Sequence, residues 1–94
     1  MPRRVIEKIR DAIKTGNYDT TYHAVEEIAE DELGILDVES AVLNGKITKR
    51  QRDDPRGTKY VIEGVGRDGS TPIGVVGRFK ETGIFLIITV YAIM

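Results

Sequence analysis

Cysteine is absent from this 94-residue chain, and histidine occurs only once. Without cysteine the protein has neither a disulfide framework nor a thiolate metal site. A structural zinc site needs four ligands, usually cysteine or histidine, so one histidine makes zinc binding improbable. We therefore predict no metal and no other cofactor. The lack of disulfides is typical of cytoplasmic proteins, and the cytoplasm is the location we expect.

Long hydrophobic runs are also missing. The one extended apolar stretch, residues 84–93, is about half as long as the roughly 20 residues that a membrane-spanning helix needs. The first residues contain no apolar segment of the kind found in signal peptides. We therefore expect no membrane segment.

Neither sign of charge dominates, since the net charge is −1, but the two halves of the chain differ. Residues 1–45 have a net charge of −5 and residues 46–94 a net charge of +4. This asymmetry predicts one acidic and one basic face if the halves form different layers. The basic run from Lys46 to Lys59 is either a solvated strand and loop or a phosphate-binding segment. A pI of 5.8 disfavours nonspecific DNA binding by the whole molecule.

Hydrophobic periodicity predicts an α+β fold in one domain, residues 1–94. Its helical layer, residues 3–45, has a helix over 3–15 and a second one capped by Thr20 or Thr21 and extending to Leu33. A short third helix opens at Asp37. After Gly45 the period changes to two, and four strands are predicted over 46–52, 58–66, 72–79 and 84–92. Short connections predict an antiparallel meander sheet over residues 46–92.

The last predicted strand is apolar on both faces. Strict alternation assigns Ile84, Leu86, Ile88, Val90 and Ala92 to one face, and Phe85, Ile87, Thr89, Tyr91 and Ile93 to the other. Such a strand is expected in the centre of a sheet, covered on both sides. Thr89 and Tyr91 stand out because they carry hydroxyl groups.

The single histidine, His23, opens an acidic helix. Histidine is the most versatile proton carrier near neutral pH, so His23 is the first candidate for acid–base chemistry. A packed or capping histidine is the alternative interpretation. The carboxylates of the same helix indicate a solvated face or a surface for a basic partner rather than a magnesium site. Gly64-Val65-Gly66 lies inside a predicted strand and precedes no helix, so it is not a phosphate-binding loop.

Four strings of residues together resemble a known family. They are Tyr22-His23-Ala24-Val25-Glu26-Glu27, Asp37-Val38-Glu39 to Gly45, Asp53-Asp54-Pro55-Arg56-Gly57-Thr58-Lys59-Tyr60, and Ile88-Thr89-Val90-Tyr91. In this order they resemble a bacterial and archaeal domain-of-unknown-function family, number forty-two fifty-eight, over about residues 15–92. That family is similar to type II toxins of the RelE, BrnT and MqsR kind. The resemblance implies a RelE-like α+β toxin fold, metal-independent ribonuclease activity and a zinc-finger antitoxin of the MqsA kind.

The resemblance also assigns candidate residues. His23 matches the family's histidine, Arg56, Lys59 and Tyr60 match its basic turn and the following strand, and Thr89 and Tyr91 match its terminal Thr-Val-Tyr. One departure concerns Glu27 and Asp31, since many members carry arginine after the histidine. This difference removes positive charge near His23 and shifts expected phosphate binding to Arg56, Lys59 and Arg78.

Two hypotheses follow from these observations. In the first, the protein is a toxin that cleaves RNA without a metal, with His23, Glu27, Lys59 and Tyr91 as catalytic residues. RNA contacts are then expected from Arg56, Tyr60, Arg78 and Thr89. In the second, the protein is a non-catalytic interaction module that dimerises or binds a partner through its sheet and acidic helices.

Overall fold

A five-stranded mixed sheet with three helices forms the fold, and the computed structural model describes residues 4–93 of the chain. In chain order the elements are α1 (Val5–Lys14), β1 (Tyr18–Thr20), α2 (Tyr22–Glu30), α3 (Ile35–Asn44), β2 (Lys46–Gln51), β3 (Lys59–Val65), β4 (Pro72–Phe79) and β5 (Phe85–Ala92). The strand order across the sheet is β1-β5-β4-β3-β2. Within residues 4–93, no helix is both long and apolar enough to cross a membrane.

The expected α+β class is confirmed, but the four-stranded antiparallel meander is wrong as a description of the whole sheet. β2 to β5 are antiparallel neighbours, within one residue of the predicted strand ends. The missed strand, β1, pairs in parallel with β5, placing Tyr18 opposite Phe85. Three residues are too few to show an alternating pattern, so β1 had no sequence signal.

Two helix starts show how side chains set local structure. Thr21 caps α2, because its hydroxyl oxygen accepts a hydrogen bond from the Ala24 N–H at 3.1 Å. α3 begins at Ile35, two residues before the predicted opening at Asp37. Asp37 instead lies in the first turn and accepts the Gly34 N–H at 2.9 Å. The predicted start of α1 at residue 3 lies outside the described residues.

The hydrophobic core lies between the helices and one face of the sheet. Ile9 of α1 and Val38 of α3 are fully buried there, as are Ile62 of β3 and Val75 of β4. Burying each such side chain stabilises the fold by roughly 1.5–3 kcal/mol. α3 approaches β3 closely because Gly64 has no side chain: a Cβ there would lie 2.1 Å from the Ala41 carbonyl oxygen.

A β-bulge in β5 changes which side chains share a face. The register moves from Val76↔Thr89 to Gly77↔Ile87, so Ile88 is an extra residue. The bulge reverses the alternation, so Phe85 and Ile87 are buried together with Val90. The predicted strict alternation along this strand is therefore wrong.

The helices of residues 4–93 leave the opposite surface of the sheet, here called the open face, without such a cover. The helices of the described chain bury their apolar residues in the one cluster that contains Ile62, Val75 and Val90. Side chains that alternate with that cluster lie on the open face, and the register places Val61, Val76 and Thr89 there in one row. β5 is the second strand of the sheet and is paired with β1 only over Phe85–Ile87, so the expected central strand covered on both sides is wrong; the helices of the described residues cover one of its faces.

Candidate functional site

His23 and Glu27 form a contacting pair on α2. The His23 Nε2 atom lies 3.3 Å from Glu27 Oε1, one helical turn further along the chain. The His23 side chain is 67% exposed and that of Glu27 is 22% exposed. The i, i+4 spacing on a helix brings the two side chains onto one face. The structure therefore joins two of the four residues that were predicted to be catalytic.

Glu27 is itself fixed by the sheet. Its Oε1 atom accepts the Val90 N–H of β5 at 3.1 Å, and Asp31 Oδ2 accepts the Ala92 N–H at 3.0 Å. β1 ends at Thr20 while β5 continues to Ala92, so these N–H groups need acceptors from another element. Carboxylates of α2 supply them. Arginine, which only donates hydrogen bonds, would leave these groups unpaired.

The start of α2 is tied to the same strand. The Thr21 N–H donates to the Ile87 carbonyl and the Thr21 hydroxyl to the Ile88 carbonyl, both at 3.0 Å. Together with Glu27 and Asp31, these contacts hold α2 along the edge of β5. His23 is thus attached to a rigid element, and an anchored carboxylate lies 3.3 Å from its Nε2 atom.

Thr89 and Tyr91 flank Val90, the residue to which Glu27 is bonded. Both lie on the open face, because Thr89 pairs with Val76 and Tyr91 with Gly74. The Tyr91 ring lies over Gly74, where a Cβ would come within 2.2 Å of the ring carbon Cζ. One ring face therefore packs on the backbone of β4, and the tyrosine as a whole is half-buried.

Arg78 and Lys59 share the open face. Arg78 pairs with Leu86 on β4–β5, and Lys59 lies one step beyond the Tyr60↔Gly77 pair, beside Arg78. Tyr60 points to the opposite side of the sheet and packs against the hydrophobic core. The structure thus places Tyr60 away from the other predicted RNA-contacting residues.

Arg56 and Lys59 share a partner that sequence reasoning missed, Asp54. The Arg56 Nε atom lies 3.3 Å from Asp54 Oδ1, and Lys59 Nζ lies 3.3 Å from Asp54 Oδ2. The Asp54 side chain is only 10% exposed and also accepts the Arg56 backbone N–H. This backbone hydrogen bond and the Arg56 side chain hold the pKa of Asp54 at about 2. An aspartate two residues before an arginine in a Pro-containing turn was the available signal.

Strand order separates this turn from the histidine. His23 lies beside β5, whereas Lys59 begins β3 and Arg56 precedes it, with β4 between the two strands. At about 4.8 Å per strand, β3 lies about 10 Å from β5. Of the three predicted phosphate-binding residues, Arg78 on β4 is therefore the one on the strand next to β5.

The described residues, 4–93, contain no group of three or more histidine and carboxylate side chains placed to hold a metal ion. Fold and site thus define a small α+β domain with an anchored His–Glu pair at the edge of an open sheet face. A family described as Domain of unknown function (DUF4258) matches residues 20–92, and the chain belongs to this family. The matched range runs through α2, α3 and all of β2 to β5, and so contains the whole candidate site. No curated protein and no solved structure matches the chain.

Proposed function

We propose that the protein is the toxin of a type II toxin–antitoxin pair, similar to RelE, BrnT and MqsR, and that it cleaves RNA in the cytoplasm without a metal. The observation that carries the proposal is the His23–Glu27 pair, anchored to the Val90 N–H at the edge of the open face. A zinc-finger antitoxin of the MqsA kind is the proposed partner.

RNA binding is assigned to the open face. Cations on a sheet contact phosphates, and an aromatic ring with one free face stacks on an unpaired base. Arg78 and Tyr91 lie on β4 and β5, so a strand of RNA held by both passes close to α2. Lys59 lies beside Arg78 and extends the basic surface toward β3.

The proposed reaction needs one general base, which removes a proton from the attacking hydroxyl, and one general acid, which protonates the leaving oxygen. The 2′-oxygen of a nucleotide attacks its own 3′-phosphate while His23 takes the 2′-hydroxyl proton. The bond from phosphorus to the next 5′-oxygen breaks, and Tyr91 supplies a proton to that oxygen. Arg78 stabilises the negative charge that develops on the phosphate. The products are a 2′,3′-cyclic phosphate and a 5′-hydroxyl end.

The test is RNA cleavage in the presence of EDTA. Purified protein should release fragments with 5′-hydroxyl ends, and His23→Gln should lower the rate about 10²–10⁴-fold, since it removes general acid–base catalysis. Glu26→Gln is the matched control, because Glu26 is an exposed residue on the same helix. Absence of cleavage by folded wild-type protein in translation extracts, or equal rates for His23→Gln and wild type, would overturn the proposal.

A non-catalytic interaction module is the second candidate, and exposed apolar residues beside the carboxylates of α2 favour it. Tyr22 and Val25 of α2 are 80% and 49% exposed. A basic partner with an apolar contact surface fits these residues. Neither edge of the sheet is suited to pairing with a second copy. At one edge, β1 has three residues and α2 side chains occupy the β5 backbone where β1 has ended. At the other edge, β2 carries lysines and a bulge at Thr48. Stable binding of a basic partner by a protein without nuclease activity would favour this candidate.

A further inference from the structure

A second cationic region lies on the helix side of the sheet, between the start of α1 and β2. Three arginines line this cleft, which we call the arginine cleft: Arg4 and Arg10 from the α1 segment and Arg50 from β2. Ile6 and Ile47 form part of its apolar wall. Among the described residues that line the cleft, none is acidic. Together with Lys46, the three arginines place four positive charges in a lining without a carboxylate.

The side chain of Arg10 is fixed by a hydrogen bond to the backbone. Its Nη2 atom donates a hydrogen bond to the Gly45 carbonyl at 2.8 Å. Gly45 joins α3 to β2, and a Cβ at this position would lie 2.4 Å from the Ala41 carbonyl oxygen. The close approach fixes the backbone of Gly45 and therefore the acceptor. The guanidinium of Arg10 is consequently oriented before any ligand arrives.

The Nε atom of Arg10 is buried and has no hydrogen-bond partner among the residues that the structure describes. Buried N–H donors in folded proteins nearly always have an acceptor, supplied by protein, water or a bound group. The described side chains that line the cleft are cationic or apolar and supply no acceptor. The Nε atom is closed to solvent, so an anion in the cleft satisfies this donor only if the Arg10 side chain shifts toward it.

Arg50 points to the same side. It pairs with Tyr60, which packs against the core, so the Arg50 side chain lies on the helix side of β2 and not on the open face. Arginine guanidinium groups bind phosphate through two parallel hydrogen bonds and remain charged at all physiological pH values. Three of them around a concave surface are suited to a tetrahedral, multiply charged anion.

We propose that the arginine cleft binds a phosphate group, with Arg10 as the fixed donor and Arg4 and Arg50 closing around the anion. Arg50 also lines the concavity at the β2–β3 turn with Arg56 and Lys59, so this site adjoins that basic surface at the β2 edge. Arg10, like Arg4, belongs to the cleft alone. Its ligand is an RNA backbone phosphate or the phosphate of a free nucleotide. Only the first source rests on the proposed function; in that case the cleft holds RNA that passes around the β2 edge.

Inorganic phosphate is the first probe, with thermal unfolding as the readout. Phosphate at about five times its dissociation constant should raise the Tm by about 4–8 °C above that in sodium chloride of equal ionic strength. Arg10→Met and Arg50→Gln should each abolish this difference. Lys14→Gln, an exposed cation on α1 outside the cleft, should retain it.

Arg10→Met also removes the donor to Gly45, so it risks unfolding the protein. Arg50→Gln changes an exposed side chain and keeps the test valid if Arg10→Met does not fold. The proposal is overturned if phosphate gives no more stabilisation than sodium chloride. It is also overturned if Arg50→Gln responds to phosphate as wild type does.

The source of the phosphate is settled by a second arm using single-stranded RNA without terminal phosphates, measured by fluorescence anisotropy. If the RNA backbone is the ligand, Arg50→Gln should weaken binding and lower the salt slope by about 0.7. If a free nucleotide is the ligand, RNA binding stays unchanged while adenosine monophosphate stabilises wild type but not Arg50→Gln. Neither arm measures cleavage, so phosphate binding without nuclease activity would refute the proposed function and leave the cleft assignment intact.

Discussion

The two edges of the sheet carry opposite charges and protect their backbone in different ways. At the β1–β5 edge, Glu27 and Asp31 of α2 accept hydrogen bonds from β5. At the other edge, β2 carries Lys46, Lys49 and Arg50, with a bulge at Thr48. Charge and bulges on an edge strand discourage pairing with another chain. The acidic edge is thus closed by specific hydrogen bonds, and the basic edge stays open to solvent and ligands.

The charge asymmetry in the sequence corresponds to the two edges of the sheet rather than to two layers. Opposite charges on two layers were the expectation, with the acidic half in the helices and the basic half in the sheet. The strand order instead places the densest acidic and basic segments, α2 and β2, at opposite ends of one sheet. Two acidic residues of α2, Glu27 and Asp31, therefore accept hydrogen bonds from β5 although the sequence pattern indicated a solvated helix face.

The largest stability effect is expected from Glu27, because it supplies the acceptor for the Val90 N–H. Glu27→Ala should lower the free energy of unfolding by about 1.5–3 kcal/mol, the range for hydrogen bonds to charged groups. Glu27→Gln keeps an acceptor oxygen and should cost less. Urea denaturation measures both, with Glu26→Ala as the exposed control on the same helix. Equal stabilities for Glu27→Ala and Glu26→Ala would break the comparison of the two edges.

A smaller effect is expected at Tyr18 of β1, whose hydroxyl donates to the Glu39 carboxylate of α3. Tyr18→Phe should cost about 1 kcal/mol at neutral pH. Burial and the neighbouring carboxylate raise the pKa of Tyr18 to about 12. The neutral phenol therefore stabilises the fold below pH 10, and this contribution is lost as the pH rises from 10 to 12. Urea midpoints across this range should fall more steeply for wild type than for Tyr18→Phe; parallel curves would contradict the assignment.

The smallest effect is expected in the β2–β3 turn, where Asp54 holds Arg56 and Lys59. Because folding lowers the pKa of Asp54 from 3.8 to about 2, its ionised form stabilises the folded state above pH 4. That contribution disappears as the pH falls from 4 to 2. Asp54→Asn should therefore lower stability at pH 6 and flatten the acid limb of a plot of urea midpoint against pH. An acid limb identical to that of wild type would show that Asp54 does not fix the turn.

Much of the architecture follows from sequence patterns that act locally. The cap at Thr21 and the strands β2 to β5 were predictable because hydroxyl caps, turn residues and period-two alternation depend on nearby residues. β1 was too short for any pattern. The bulge at Ile88 was hidden because apolar residues occupy both faces of β5, so a shift of phase leaves the pattern unchanged.

In the candidate site, too, some features follow from local sequence and others depend on the order of the strands. The His23–Glu27 contact follows from helical spacing, and Thr89 and Tyr91 share a face because they are two residues apart. The distance between His23 and the Arg56–Lys59 turn depends on strand order, which local patterns do not contain. The anchoring of Glu27 to Val90 joins residues 63 positions apart and was beyond sequence reasoning for the same cause.

The central claim is that the anchored carboxylate serves the histidine as well as the sheet, and one variant tests it directly. Glu27→Gln preserves an acceptor for the Val90 N–H but removes the negative charge beside His23 Nε2. We expect this variant to remain folded and to cleave RNA in EDTA at least about tenfold more slowly than wild type, because its imidazole is less well held. A Glu27→Gln variant that cleaves RNA at the wild-type rate would contradict the account and leave Glu27 with a structural role alone.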